Sequence, residues 1–571
     1  MKSFIGTSVL IILLQGCQTL SAQKQVNIAT NLSSIIENYY TDIEDLNKVY
    51  IFKDSPEYFD RFDIYYRKAL QDLPSISFTS LSTNSQVDFI LLKRNIVKAQ
   101  KDLSEARSIY HQIHQYVSFD TGIISIQSSR RRGSYPDAMV VAAKFNGIKN
   151  QIDTLQIWFK KQQPLIASLN SKLSDVLENL RKGVQSIYSF YDAYDPMFTW
   201  WVKKPYTQLD SALLQYTSQV KSAITKQSAA SGDGSGIEGN PIGAKALQDL
   251  LDYEMIPYTA SELVEIANRE FAWCDVEIKK ASQQMGFGND WKQALAKVKL
   301  NYVAPGRQPE LVNTLAEEAI AFIEQHNMLT IPPLAKEVWR MSMLTEAQQR
   351  LAPFFLGGES ILIGYPTDKM DFETRMMSMR SNNYAFSHAT VYHELIPGHN
   401  LQYFMNRRYK QYRSAFRTPF SIEGWSLYWE MLLWDKNFND TPEKKMGALF
   451  WRMHRCARII FSLNYHLGKW TPQQCINFLM ERVGHEKFSA EGEVRRSFTG
   501  NYGPLYQIAY MLGGLQLRQL YKEVVDNKKM TEKEFHDAYL QENAIPIEMF
   551  RAIITKQPLT ENYKTKWKFA Q

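Results

Sequence analysis

A mainly α fold with one small β element is what this 571-residue chain predicts, and three observations carry it. Apolar residues recur at threes and fours over long stretches, as in Leu165, Leu169, Leu173, Val176, Leu180, Val184 and Ile187, which lines them along one helix face. Hydrophobic residues are 44%, charged residues 22% and aromatics 13%, the balance of a folded chain rather than a collagen-like, disordered or coiled-coil one. The best strand is one short apolar run, Glu359 to Tyr365, bounded by Gly357-Gly358 and Pro366.

In chain order, residues 1–22 read as an export signal: one Lys, an apolar run from Ser8 to Leu14 too short to cross a bilayer, then small and polar residues. Leu14-Gln15-Gly16-Cys17 resembles a bacterial lipobox, which would put a lipid on Cys17; the competing reading is ordinary cleavage near Ala22. Either route exports the chain, as a periplasmic protein or an outer-membrane-anchored lipoprotein. No later run reaches about 18 apolar residues, so membrane attachment rests on Cys17 alone. Residues 23–226 form an N-terminal helical region. The small-residue run Ser228 to Gly236 marks a linker over 227–242, and residues 243–571 return to helical periodicity around the strand. Lys+Arg 66 against Asp+Glu 59 gives +7 with no basic block, so nucleic acid is not the expected partner. Cysteines at 17, 274, 456 and 475 make no metal-type pair and are too few for a disulfide scaffold.

Chemistry concentrates in Tyr392-His393-Glu394-Leu395-Ile396-Pro397-Gly398-His399. Zinc peptidases commonly carry two His four residues apart, about one helical turn, with a Glu after the first. Here the spacing is six, and six steps of about 100° would turn the second ring some 240° away on a regular helix. A break is therefore required. Pro397 has no N–H to continue the helix and Gly398 accepts backbone shapes closed to other residues, so the pair can turn His399 back toward His393. A hydrolytic zinc site wants three protein ligands and an open position. Glu423, in Ile422-Glu423-Gly424-Trp425, is the third candidate, with Glu430 two turns on as a hydrogen-bond partner behind the ligands.

The run His-Glu-x-x-Pro-Gly-His-x-x-Gln, followed by Glu-Gly-Trp-x-x-Tyr-x-Glu, resembles the bacterial family of domain of unknown function 885. Further matches are Arg455 and Arg458 ahead of His466, Trp470, Glu493, Arg496, Pro504, Tyr510 and Gly513, from about residue 243 to 550. The resemblance implies a zincin-type, gluzincin-like metallopeptidase body. Two departures, Ser497 after the Arg and Pro504-Leu505-Tyr506 after a longer connection, fall on the substrate side.

The expected chemistry is hydrolysis of a peptide substrate in the cell envelope. Zn²⁺ would sit on His393, His399 and Glu423, with Glu394 as general base and acid. Tyr510, Arg496 and His466, in that order, are the candidates for donating to the oxyanion. Each has a plainer reading: a core aromatic for Tyr510, a surface ion pair with Glu493 for Arg496, and a satisfied core histidine for His466. The strand could pair with an extended substrate, or be a short sheet edge. Two alternatives stand beside this reading. One is a non-catalytic glycan-binding lipoprotein whose aromatics stack on sugars, and the other is a zinc hydrolase of another amide or ester.

Overall fold

A computed structural model describes residues 32–134, 136–162, 165–499 and 502–570. The expected export signal and Cys17 lie outside the described residues. The chain is 71% helix and 2% strand, as a mainly α reading requires.

Two compact units result: Ser34–Ser77 with Lys93–Gly232, and Phe78–Leu92 with Asp233–Gln571. The smaller contains α1 (Ser33–Val49), α2 (Pro56–Asp72), most of α3 (Thr83–Ile113), α4 (Asp120–Arg131), α5 (Ala138–Phe159), α6 (Ala167–Tyr191) and α7 (Pro196–Ser231). Their starts follow sequence rules. Ser55 caps α2, Asp137 accepts the Met139 and Val140 N–H groups at the head of α5, and Asp195 does the same for α7 ahead of Pro196. The α6 stripe packs as its spacing demands, with Leu173, Val176, Leu180, Val184 and Ile187 buried among Phe145, Ile152, Val202 and Leu213. Leu165 and Leu169 sit partly buried at the edge of that core.

Two expectations about organisation need correcting. The helix α7 runs on to Ser231, into the stretch expected to be a linker, because Ala and Ser can extend a helix that Gly232 then stops. Nor does residue 23–226 form one piece. Phe78–Leu92 belongs to the larger unit, where Asp88 accepts from the buried guanidinium of Arg413 at 2.7 Å. A pairing across more than 300 residues leaves no local pattern to read.

The larger unit continues with α8 (Gly243–Tyr253), α9 (Ala260–Gln284), α10 (Trp291–Lys299), α11 (Gln308–Gln325), α12 (Pro333–Val338), α13 (Glu346–Gln349) and α14 (Phe372–Ser381). After them come α15 (Tyr384–Glu394), α16 (His399–Asn406), α17 (Pro419–Asp435), α18 (Pro442–His466), α19 (Pro472–Phe478), α20 (Lys487–Thr499), α21 (Tyr506–Tyr521), α22 (Glu532–Gln541) and α23 (Ile547–Thr555). Helix α17 is buried on nearly every side, with Trp425 and Trp429 fully enclosed, so it lies inside the body rather than on it. It crosses α21 where Gly424 meets Gly513. A Cβ on Gly424 would stand 2.5 Å from the Gly513 Cα, so two bare backbones are what allow this approach.

The β element is a two-stranded parallel sheet, β1 (Arg340–Met343) with β2 (Ser360–Ile363). Leu362 also exchanges both backbone hydrogen bonds with Leu356, at 3.0 and 2.7 Å. The chain's own backbone therefore occupies β2 at the position where an added substrate strand was one of the two readings. Its neighbouring segment Phe355–Gly358, rather than β2 alone, reaches the candidate site.

Candidate metal centre

Asn383 caps α15 by accepting the Phe386 N–H at 3.1 Å, and the helix runs buried to Glu394. There the missing N–H of Pro397 ends the ladder. The His393 carbonyl, which that N–H would have served, accepts instead from Ser426 Oγ at 2.9 Å, and Trp425 Nε1 donates to the Pro397 carbonyl at 2.7 Å. Helix α17 thus binds the break it faces. A Cβ on Gly398 would fall 1.8 Å from the His393 carbonyl oxygen, so no other residue fits that turn. Helix α16 restarts at His399 in a new direction. The two imidazoles end with ring centres 4.8 Å apart at 86°.

Glu423 completes the cluster: one ligand atom from each of His393, His399 and Glu423 lies within 4.8 Å of the others. Glu423 Oε2 is 3.0 Å from His399 Nε2 and 3.8 Å from His393 Nε2. That oxygen is buried and has no hydrogen-bond partner among the described residues. Two imidazoles and a carboxylate, gathered around an unsatisfied oxygen, are a donor set that fits a divalent cation of zinc's character. Behind them, His393 Nδ1 donates to Glu430 Oε1 at 2.6 Å, and Arg455 donates to the same oxygen at 3.3 Å. This fixes the ring so that Nε2 faces the cluster.

The electrostatics follow from burial and pairing. Burial alone would lower the His393 pKa, but Glu423 and Glu430 outweigh it and raise it to about 9. Burial would raise Glu423, yet His399 and His393 hold it well below the usual carboxylate range. Glu394 behaves oppositely: burial pushes its carboxyl up against the pull of both imidazoles. Its Oε2 is 4.0 Å from His399 Nε2.

These groups line a cavity of about 280 Å³, closed on one side by Phe354–Gly358 and on the other by α18, α20 and α21. Of the three oxyanion candidates, Tyr510 and Arg496 reach it. The Tyr510 ring stacks 6.1 Å from that of His393, and burial holds its hydroxyl protonated. Arg496 is buried rather than in a surface pair, 4.0 Å from Glu493. His466 does not belong to the site. It is buried beside Tyr465 and Phe498, and burial lowers its pKa to about 4. It follows Arg455 on the same helix and on nearly the same face, but eleven residues on, about 16 Å further along the axis, so a shared face did not mean nearness to the cavity.

Tyr506, Arg455 and Arg458 are among the lining residues that had no role assigned from sequence. Tyr506 donates to Glu423 Oε1, and Arg455 and Arg458 flank Tyr510 with guanidinium carbons 4.7 and 4.3 Å from its ring centre. Arg455 and Arg458 are spaced to share a helix face, but only packing shows what that face meets.

A helical body holding a buried two-histidine, one-glutamate cluster is the class that fold and site define. The model of a family described as "Bacterial protein of unknown function (DUF885)" matches residues 51–554, and the chain belongs to that family. The match begins well before residue 243, so the family includes the N-terminal helices, which carry no motif of their own. Among solved structures, one described as a lipoprotein of unknown function from Shewanella oneidensis is similar at TM-score 0.68 and 16% identity, covering 92% of this chain and 100% of that one. Another, described as a lipoprotein from Colwellia psychrerythraea, has TM-score 0.50 and 17% identity over 73% of this chain and 75% of its own. Such identities speak for the fold alone. No curated protein matches the chain.

Proposed function

We propose that this protein is a zinc-dependent hydrolase of peptide bonds in the bacterial cell envelope. The observation that carries the reading is the convergence of His393, His399 and Glu423 within 4.8 Å, with Glu394 alongside. Zn²⁺ held by these three would act as a Lewis acid toward a substrate carbonyl and make water a nucleophile near neutral pH. Glu394, its carboxyl raised by burial, takes the water's proton and hands it to the leaving amine. Tyr510 keeps its proton and can donate to the oxygen on which negative charge develops. Glu430 and Arg455 hold the His393 ring, and Tyr506 holds Glu423, so the ligand set needs little rearrangement. The envelope assignment is supported by the signal read in residues 1–22 and by the description of both similar structures as lipoproteins.

Elemental analysis after zinc supplementation should find about one zinc per chain; none would remove the reading. Glu394→Gln should keep the metal and lower turnover of a peptide library by about 10²–10⁴-fold. A wild-type rate in that variant would show that another group is the base.

A further inference from the structure

We propose that the arginine-lined wall of the cavity beside the metal cluster is a carboxylate-binding subsite, so that the substrate is a short peptide cut close to its free C-terminus. This rests on the function proposed above and names its substrate class. Arg455, Arg458 and Arg496 all line the cavity, and all three are more than nine-tenths buried. A guanidinium cannot shed its charge to escape burial, so each needs an anion. The protein supplies too few. Arg458 Nε donates to Glu493 Oε1 at 2.6 Å, Arg455 donates to Glu430, and Arg496 stands 4.0 Å from Glu493 without a hydrogen bond among the described residues. Glu430 is already shared with His393, and Glu394 and Glu423 serve the metal side.

Three guanidiniums thus face two carboxylates. Arg458 Nη1, Arg455 Nε and Arg496 Nε are buried with no partner among the described residues, as is Glu493 Oε2. Cavity-lining guanidiniums that outnumber their carboxylate partners match a planar anion, and their forked shape suits a carboxylate above other anions of that size. Tyr510 sets the distance. Its ring lies 6.1 Å from that of His393 and 4.3–4.7 Å from the guanidinium carbons of Arg458 and Arg455. Both centres lie within one contact of the same aromatic ring, and consecutive Cα atoms are about 3.8 Å apart, so the carboxylate falls about one or two residues from the scissile bond. A cavity of about 280 Å³ has room for little more.

The test is binding to zinc-loaded Glu394→Gln protein, by calorimetry, of N-acetylated dipeptides supplied as free acids and as C-terminal carboxamides. The acids should bind about 100-fold more tightly, because a site built for a group rejects the analogue that lacks it. Equal affinity for the two series, or no binding of either, overturns the proposal. Adding Arg496→Ala should reduce the preference to within about threefold with zinc stoichiometry unchanged. A preference that survives intact would mean Arg496 is not part of the subsite. The acid–amide comparison itself needs no arginine change, so it stands even where that variant does not fold. In turnover, active protein that cuts amidated peptides as fast as free acids would refute the subsite and leave the peptidase intact. Absence of zinc and of turnover would refute the peptidase, and the same acid–amide comparison made by calorimetry on the metal-free protein would still decide the subsite.

Discussion

The two units of this chain are built from the same kind of helix but spend their charge differently. In the smaller one, ion pairs such as Lys68 with Asp72 and Lys48 with Asp45 sit on the surface, and the core of Phe145, Leu180, Val184 and Leu213 is apolar. In the larger one, His393, Glu394, Glu423, Glu430, Arg455, Arg458, Glu493 and Arg496 are all buried. Burying a charge costs several kcal/mol unless partners compensate it. A chain that concentrates such groups around one cavity is keeping them for something other than stability, and the difference between the units separates packing from chemistry.

That contrast can be broken or sharpened at four positions, from the largest effect to the smallest. Phe145→Ala empties part of the apolar core and should cost about 3–5 kcal/mol in denaturant melts. Below its transition it should keep zinc stoichiometry and turnover per folded molecule. A loss of bound zinc at full folding would show that the smaller unit is not simply packing.

His466 carries a pH prediction. Its folded pKa of about 4 lies below the unfolded value of about 6.5, so the unfolded state takes up the proton first. Stability is therefore full above pH 6.5 and falls as the pH drops toward 4, by on the order of 3 kcal/mol from this residue. His485, pushed to about 3, and His536, pushed to about 4, add to the same acid loss. His466→Gln should flatten the stability profile between pH 6.5 and 4 while leaving turnover at neutral pH unchanged. A fall in turnover would return His466 to the site.

Glu430→Gln keeps the shape behind His393 but removes its charge, and zinc affinity measured against a chelator should weaken about 10–100-fold. An unchanged affinity would show that the hydrogen bond to His393 Nδ1 does not tune the ligand. Smallest is Lys68→Ala, which breaks an exposed pair on α2 and should move stability by less than about 0.5 kcal/mol. A larger shift would mean that surface charge in this unit matters more than its exposure implies.

The helices were legible because a period of three to four is a local property, and α6 buries the residues its stripe names. The heart of the site was legible for a different reason: a proline and a glycine between two histidines leave few ways to continue a helix. The partners facing it were harder to see. Arg496 read equally as an oxyanion donor and as a surface ion pair, Tyr506 as part of a departure from a pattern, and His466 as a candidate donor. Each of these was decided by which element lies opposite.

Sequence by itself determined that the chain is mainly helical, that its helix must break between His393 and His399, and that Glu423 follows on the next long helix. These depend on backbone chemistry within a few tens of residues. Tertiary structure alone decided that the Gly424–Gly513 crossing brings Tyr506 onto Glu423, that Arg455, Arg458 and Arg496 gather on one wall, and that His466 is left outside. Burial and charge compensation are properties of what a side chain meets, and the residues that meet here come from helices far apart in the chain.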